Sequence, residues 1–477
     1  MEVAAGAVVA EQAVSTAVEA GVAYGIAKPT PPLSATFTRI SSPAFLPRLK
    51  HSLAVVNGQI YLFGGEDETG KLAGDEVHIV SLPLKSAGNE GKPDYSEGED
   101  GKVPGKRAGH SSIAVAGKIY IFGGSGEDGK PIEEMGRVWM YNTKTLGWSY
   151  IDPAEDASLP PARHMHGAVS SDRPASATKA GTQHTMTEQI SSTISKLPSM
   201  ISKTSIDDGP SEPHGTLIIH GGQSASSSVL NDTWAFNIAT RTWSSLLPLP
   251  SSSSPTSSLA FVYSTLYTIS GTTEFAHEIS TLPLKPKSYI NLAGENTEDF
   301  LSTQETWSTI TIPTNPLTPG PKSRTGAPFL PISTGAGRDY ILYLLGEQTS
   351  APKSPPGTDS DDKPDPSSTT PENTPVYYSD TWAYGLAPPA TTPAGIKDAI
   401  RSTVGASVSS ATWAEVIVDA NVEPEAGEAT ETGGKAHPGP RAWFAADRLE
   451  GGKGVVMWGG RNGRGEVEGD GWLVNVA

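Results

Sequence analysis

Short apolar runs alternate with glycine-bearing turns along most of the chain. The stretch PRLKHSLAVVNGQIYLFGGE, ending at Glu66, returns as GKRAGHSSIAVAGKIYIFGGS, ending at Ser125. Each copy holds an arginine, a histidine three positions later, an apolar run, a turn with Gly, a second apolar run and a Gly-Gly doublet. Brief Val/Ile/Leu/Tyr runs bounded by Gly predict strands, here paired as hairpins. The doublets are Gly64-Gly65, Gly123-Gly124, Gly221-Gly222 and Gly459-Gly460. Copies begin at Arg48, Arg107, Arg163, Arg324 and Arg441, and the fifth ends in YILYLLGE at Gly346 and Glu347. Between the third and fifth, SSLAFVYSTLYTISG is a worn copy in which Ser270 replaces the first Gly. A third strand follows in RVWMYN, DTWAFN and DTWAYG, around Trp139, Trp234 and Trp382. Trp148, Trp243, Trp307 and Trp413 mark a fourth.

Six ordered copies of about 50 residues, each with a glycine doublet or its remnant followed by a Tyr and a Trp, resemble the kelch repeat. The resemblance covers residues 36 to 476 and implies an all-β, six-bladed β-propeller. Its physical logic is sound. One small twisted sheet cannot bury both faces, whereas radial packing of several sheets makes a core and leaves only short edges. The doublet suits a close backbone approach, and each Trp fills the wedge between neighbouring sheets. The sixth copy reaches Ala477 after only three strands, and Ala35-Thr36-Phe37-Thr38-Arg39-Ile40 reads like its missing fourth, closing the ring near residues 36–41 with Phe37 in place of Trp. An N-terminal strand closing the last blade is therefore expected.

What the repeat does not use divides into a leader and inserts. Residues 1–30 read as an Ala/Val-rich helix and linker, with Val3, Ala7, Ala10, Val14, Ala17, Gly21 and Tyr24 on a narrow stripe. Inserts at 84–105, 171–213, 347–376, 385–411 and 420–438 are rich in Ser, Thr, Pro, Gly and acids, and such compositions predict disorder. Tyr95 marks a weak strand inside the first of them. The abundance of 51 Gly and 40 Pro fits a chain of many turns.

Composition narrows the function. A formal charge of −17 disfavours nucleic acid and anionic membrane surfaces. The acids in the first 27 residues exclude a secretory or mitochondrial leader, so the expected location is cytoplasmic, extending to the nucleus. With no Cys there is no disulfide, thiolate metal site or thiol nucleophile, and no Tyr–Cys crosslink of the galactose oxidase kind.

Two sets of residues carry candidate chemistry. Arg48, Arg107, Arg163, Arg324 and Arg441 share one repeat position, so a closed ring sets them in a circle. By resemblance to kelch adaptors, such a circle makes a rim for an acidic segment of a protein partner. The alternative is that each arginine ties its own blade through backbone hydrogen bonds. His51, His110 and His166 also share a position, in the first strand, and His220 takes the place of Phe63 before its doublet; all four read as structural. The second set comes from resemblance to the nitrile-specifier kelch proteins, whose ferrous iron sits just after a doublet. Glu347, Asp359 and Asp361 are the corresponding carboxylates, although no His lies between Glu347 and His437. The sequence thus favours a soluble scaffold that binds a protein partner through loops on one face, without catalysis or cofactor. An iron-dependent specifier acting on glucosinolate-type breakdown intermediates is the alternative.

Overall fold

A computed structural model describes residues 30, 32–40, 45–82, 94–96, 103–155, 157–173, 214–250, 258–269, 274–285, 287–290, 296–299, 306–313, 320–348, 375–419 and 437–477. Strands dominate, and they form six blades of four strands around one axis. Blade 1 runs Ser52–Val56, Gln59–Phe63, Val77–Ser81 and Asp94–Ser96, the last pairing Tyr95 with His78. Blade 2 spans Ser111–Val115 to Gly147–Ile151, blade 3 Gly167–Ser171 to Thr242–Leu246, and blade 4 Ser258–Val262 to Ser308–Thr311. Blade 5 spans Phe329–Gly335 to Trp413–Glu415. The innermost two strands of blades 1 and 2 join through Asn57-Gly58 and Ala116-Gly117, all with positive φ, the tight turn that matches strand twist.

Blade 6 is assembled from both ends of the repeat region. Its inner strands are Ala445–Arg448, Gly454–Trp458 and Gly471–Val476, and its outer strand is Ser34–Ile40. Pairing runs antiparallel from Ala35 opposite Val476 to Ile40 opposite Gly471. This is the closure that the sequence implies. A short strand, Ile417–Val418, then leaves blade 5 and adds in parallel to Ser34-Ala35, so blades 5 and 6 share a sheet edge.

The doublets explain why the ring needs glycine. Gly64 has φ +63, and a methyl there would come within 2.5 Å of the Arg107 carbonyl oxygen of the next blade. That closeness lets Gly65 N–H donate to Arg107 O at 2.8 Å; Gly124 and Gly460 repeat the bond to Arg163 O and Arg48 O. The fourth-strand Trp residues complete the seam. Trp243 donates to Gly136 O and Trp413 to Ala276 O, each one blade back, while the Trp243 ring packs on Phe122.

The insert at 385–411 departs from the expected disorder. Pro393–Thr403 is a helix, capped by the Thr392 hydroxyl accepting from Gly395 N–H and started by Pro at its first turn. Arg338 of blade 5 pairs with Asp398 on its buried face. The composition hid a capping signal and one buried ion pair that hold it on blade 5. Among the described residues no helix is long and apolar enough to cross a membrane. The helix expected at residues 2–26, and most of the inserts at 84–105, 171–213, 347–376 and 420–438, lie outside the described residues.

The seams are not identical. His110 Nε2 meets Ser52 Oγ at 2.8 Å and His166 Nε2 meets Ser111 Oγ at 2.9 Å, each tying a blade to the one before. His51 faces blade 6, where Ala445 occupies the serine position, and neither of its ring nitrogens has a partner. Replacing Ala445 with Ser restores the missing bond. Denaturant titration of Ala445→Ser at pH 7.5 is expected to show a gain of about 1 kcal/mol. A loss would mean that His51 turns its nitrogens elsewhere.

Candidate functional site at the channel mouth

The six innermost strands enclose a channel. Its upper end, on the side of the doublet loops, is a cavity of about 260 Å3 lined by Lys50, His110, Met165, Gly326 and Trp443 among others. A collar of backbone hydrogen bonds rims this mouth. Lys50 N donates to Trp443 O, Gly109 N to Lys50 O, Met165 N to Gly109 O and Trp443 N to Gly326 O, at 2.7 to 3.0 Å. Four collar residues turn their N–H toward the preceding blade, and these four and Gly326 have φ between 54 and 65.

Two of the five collar residues are glycine, which adopts this conformation freely. Lys50, Met165 and Trp443 adopt it against the steric cost of a Cβ, on the order of 1–3 kcal/mol each. Their side chains shape the opening. Met165 lies over Gly109 and the Trp443 ring over Gly326. Lys50 Nζ pairs with Glu66 at 2.8 Å, and Trp443 Nε1 donates to Glu347 Oε2 at 2.6 Å. Glu66, Ser125, Gln223, Glu347 and Arg461 hold one position after the doublet, each bridged to the strand entering the collar. Burial, with the Lys50 charge second, lowers the pKa of His164 at this rim. Opposite Glu347, burial and then the Glu347 charge raise the pKa of Tyr377, against the charge of Arg461 and a bond with it. The mouth is therefore amphipathic, with an indole and a thioether set among paired charges.

The five arginines proposed as a rim are placed differently. All are buried, at 7% exposure or less. Arg163 Nη1 donates to the doublet carbonyl of Gly221 and the guanidinium grips Asp232 bidentately, both contacts at 2.7 Å. Asp232 also accepts from Trp234 Nε1 of the third strand. Arg107–Glu134–Trp139, Arg324–Asp380–Trp382 and Arg441–Asp470–Trp472 repeat the device. In blade 1, His78 replaces the Trp and meets Arg48 directly. Burial opposes ionisation of Asp232, Asp380 and Asp470, but the arginine and tryptophan donors outweigh it and their pKa values fall. The structure thus places the five guanidinium groups inside their blades, bonded to the carbonyl at the first position of each doublet or its remnant, where they act as rivets. His220 is likewise a core residue, 2% exposed and bonded to Thr233 Oγ1.

Of the carboxylate set, Glu347 is half-buried at the mouth, whereas Asp359 and Asp361 lie outside the described residues. Among the described residues no group of three or more His, Asp or Glu could hold a metal ion. Sequence reasoning missed the collar, because its members share a backbone angle and no residue type.

Residues 33–192 match the model of the KLHDC2/KLHL20/DRC7 Kelch-repeats domain. Over that third of its length the chain is similar to kelch-repeat domains. Kelch relatives include the Rab9 effector protein with kelch motifs of Mus musculus, 28% identical over 129 residues, or 26% of this chain and 31% of that one. The N-(sulfonatooxy)prop-2-enimidothioate sulfolyase of Thlaspi arvense is 26% identical over 128 residues, covering 26% and 33%. Acyl-CoA-binding domain-containing protein 4 of Arabidopsis thaliana is 26% identical over 213 residues, covering 44% and 25%. The matched regions thus span a third or less of these relatives' lengths. A solved structure of YjhT aligns over 91% of this chain and 98% of its own, with 13% identity and a TM-score of 0.48.

Proposed function

We propose that this kelch propeller is a scaffold whose upper channel mouth binds a protein partner. The observation that carries this reading is the collar, where Lys50, Met165 and Trp443 keep large side chains in a conformation that glycine fills at two equivalent positions. Strain of this kind, held at a mouth rather than in a core, marks a surface kept for contact. Indole and thioether groups are enriched at protein interfaces. The charges at Lys50, Glu66, Glu347 and Arg461 give the surface both signs, so orientation of the partner comes from complementary pairs rather than from one basic rim.

The test is affinity capture with crosslinking, comparing the native chain with Lys50→Glu/Trp443→Ala. A partner crosslinked to the mouth by the native chain, and weakened at least tenfold by the double variant at unchanged thermal midpoint, is expected. Equal capture by both proteins would sink the proposal.

A second reading, lyase chemistry on a sulfonatooxy-imidothioate, is favoured by the similarity to the Thlaspi sulfolyase. Glu347, Asp359 and Asp361 would then hold ferrous iron, with Glu347 Oε2 already accepting from Trp443. Iron content after anaerobic purification, native against Glu347→Ala, decides it. Stoichiometric iron lost in the variant supports this reading, and iron-free native protein removes it.

A further inference from the structure

The lower half of the channel has chemistry that partner binding at the upper mouth does not use. It is a cavity of about 570 Å3, within the roughly 300–1,000 Å3 range of small-ligand pockets. Leu53, Val169, Leu259, Phe261 and Phe329 give it apolar walls. Its rim is the inner hairpin of blade 6, longer than the two-residue turns of blades 1 and 2. That hairpin is tethered on both sides: Asn57 N–H donates to Glu450, and Ser333 N–H donates to Gly452 O at 2.8 Å.

Asp447 stands on the wall at the base of this hairpin. Val55 N–H reaches its Oδ2 at 2.9 Å and Arg448 N–H its Oδ1 at 2.7 Å. Among the described residues no side-chain cation pairs with it. Burial raises its pKa, against those two bonds and the more distant Arg448 charge. A carboxylate desolvated among apolar side chains is costly unless a cation faces it. Asp447 lines the cavity, with Arg448 and Glu450 of opposite charge beside it, and the −17 charge of the chain favours cations over anions.

We propose that this lower chamber binds a small organic cation, an ammonium group on a compact apolar body, with Asp447 as its counter-charge. The ammonium meets the carboxylate, and the body covers the Leu, Val and Phe side chains. An inorganic cation would leave those walls unused, and a neutral apolar ligand would leave the carboxylate unpaired.

Benzylamine is the probe and benzyl alcohol its neutral counterpart, titrated calorimetrically into the full chain. Saturable one-to-one binding of benzylamine is expected, at least about tenfold tighter than benzyl alcohol, a difference of about 1.4 kcal/mol. Asp447→Asn keeps an acceptor for Val55 N–H and should lose that tenfold. Ser170→Phe fills the chamber with Asp447 intact and should block both probes. The upper-mouth variant Lys50→Glu/Trp443→Ala should bind benzylamine normally, which separates this proposal from the partner reading. Absence of benzylamine binding, equal binding of the alcohol, or undiminished binding to Asp447→Asn overturns it.

Discussion

Lowering the pH from 7.5 to 5 is expected to unfold this propeller, at a pH where most acidic proteins are still stable. The cause is a set of imidazoles that the fold keeps neutral. Burial, with the neighbouring arginine second, lowers His51 and His166 to about 3 and His110 well below its ordinary value. Burial also lowers His220 to about 4. In the unfolded chain these groups take up protons near pH 6.5, whereas in the folded ring His51 and His166 do so only near pH 3 and His220 near pH 4, with His110 shifted in the same direction. Between those limits the unfolded state binds more protons, so stability is full above pH 6.5 and falls as pH drops. Each group contributes up to about 1.4 kcal/mol per pH unit, so the four together approach roughly 5 kcal/mol per unit. That is comparable to the whole stability of an ordinary domain, roughly 5–15 kcal/mol. The lowered carboxylates Asp232, Asp380 and Asp470 add a further loss only below pH 4. Denaturant titrations at half-unit pH steps check the slope. His51→Leu and His166→Gln should each flatten it by about one proton, whatever they do to stability at pH 7.5. A stability that stays level from pH 7 to 5, or slopes unchanged in both variants, would contradict this account.

The same rivets show what a single sequence reveals and what it hides. The doublet, the arginine and the tryptophan were legible because the seam needs those residue types, and repetition exposes need. Burial of the arginine was not legible from its position alone, since its partner lies 27 residues downstream in Arg107–Glu134 and 69 in Arg163–Asp232. The signal was nevertheless present. An acid stands two residues before Trp234, Trp382 and Trp472, where it can accept from both the indole and the guanidinium. The helix Pro393–Thr403 was hidden by its Pro, Thr and Ala content, although Thr392-Pro393 is a start signal. The collar gave no signal of residue type. Lys50, Gly109, Met165, Gly326 and Trp443 share only a left-handed φ, which a single sequence does not display. The five arginines are buried in the blades, whereas Lys50, Met165 and Trp443 stand at the mouth.

Removing residues 34–40 is expected to cost more than any loop deletion, because the strand joins three parts of the ring. It pairs along six positions with the last strand of blade 6, and Ser34 and Ala477 exchange both backbone bonds. Its other edge holds the Ile417–Val418 strand, through Ile417 N to Leu33 O and Asp419 N to Ala35 O. Ala35, Phe37 and Ile40 are buried, and Phe37 packs its edge on His437 at 4.4 Å. Burying Phe37 and Ile40 alone is worth about 3–6 kcal/mol. Without the strand, those contacts vanish and Gly471–Val476 becomes an open edge inside an otherwise closed ring, the condition that invites aggregation. Point variants give the quantitative test. Phe37→Ala should lower stability by about 3–5 kcal/mol. Thr38→Pro should lower it comparably, because exposed Thr38 sits opposite Leu473 in the ladder and proline donates no bond. Glu68→Ala, in the exposed loop after the first doublet, should change it by less than about 0.5 kcal/mol. If Phe37→Ala and Thr38→Pro behaved like Glu68→Ala, the N-terminal strand would be an ornament on a ring that closes without it.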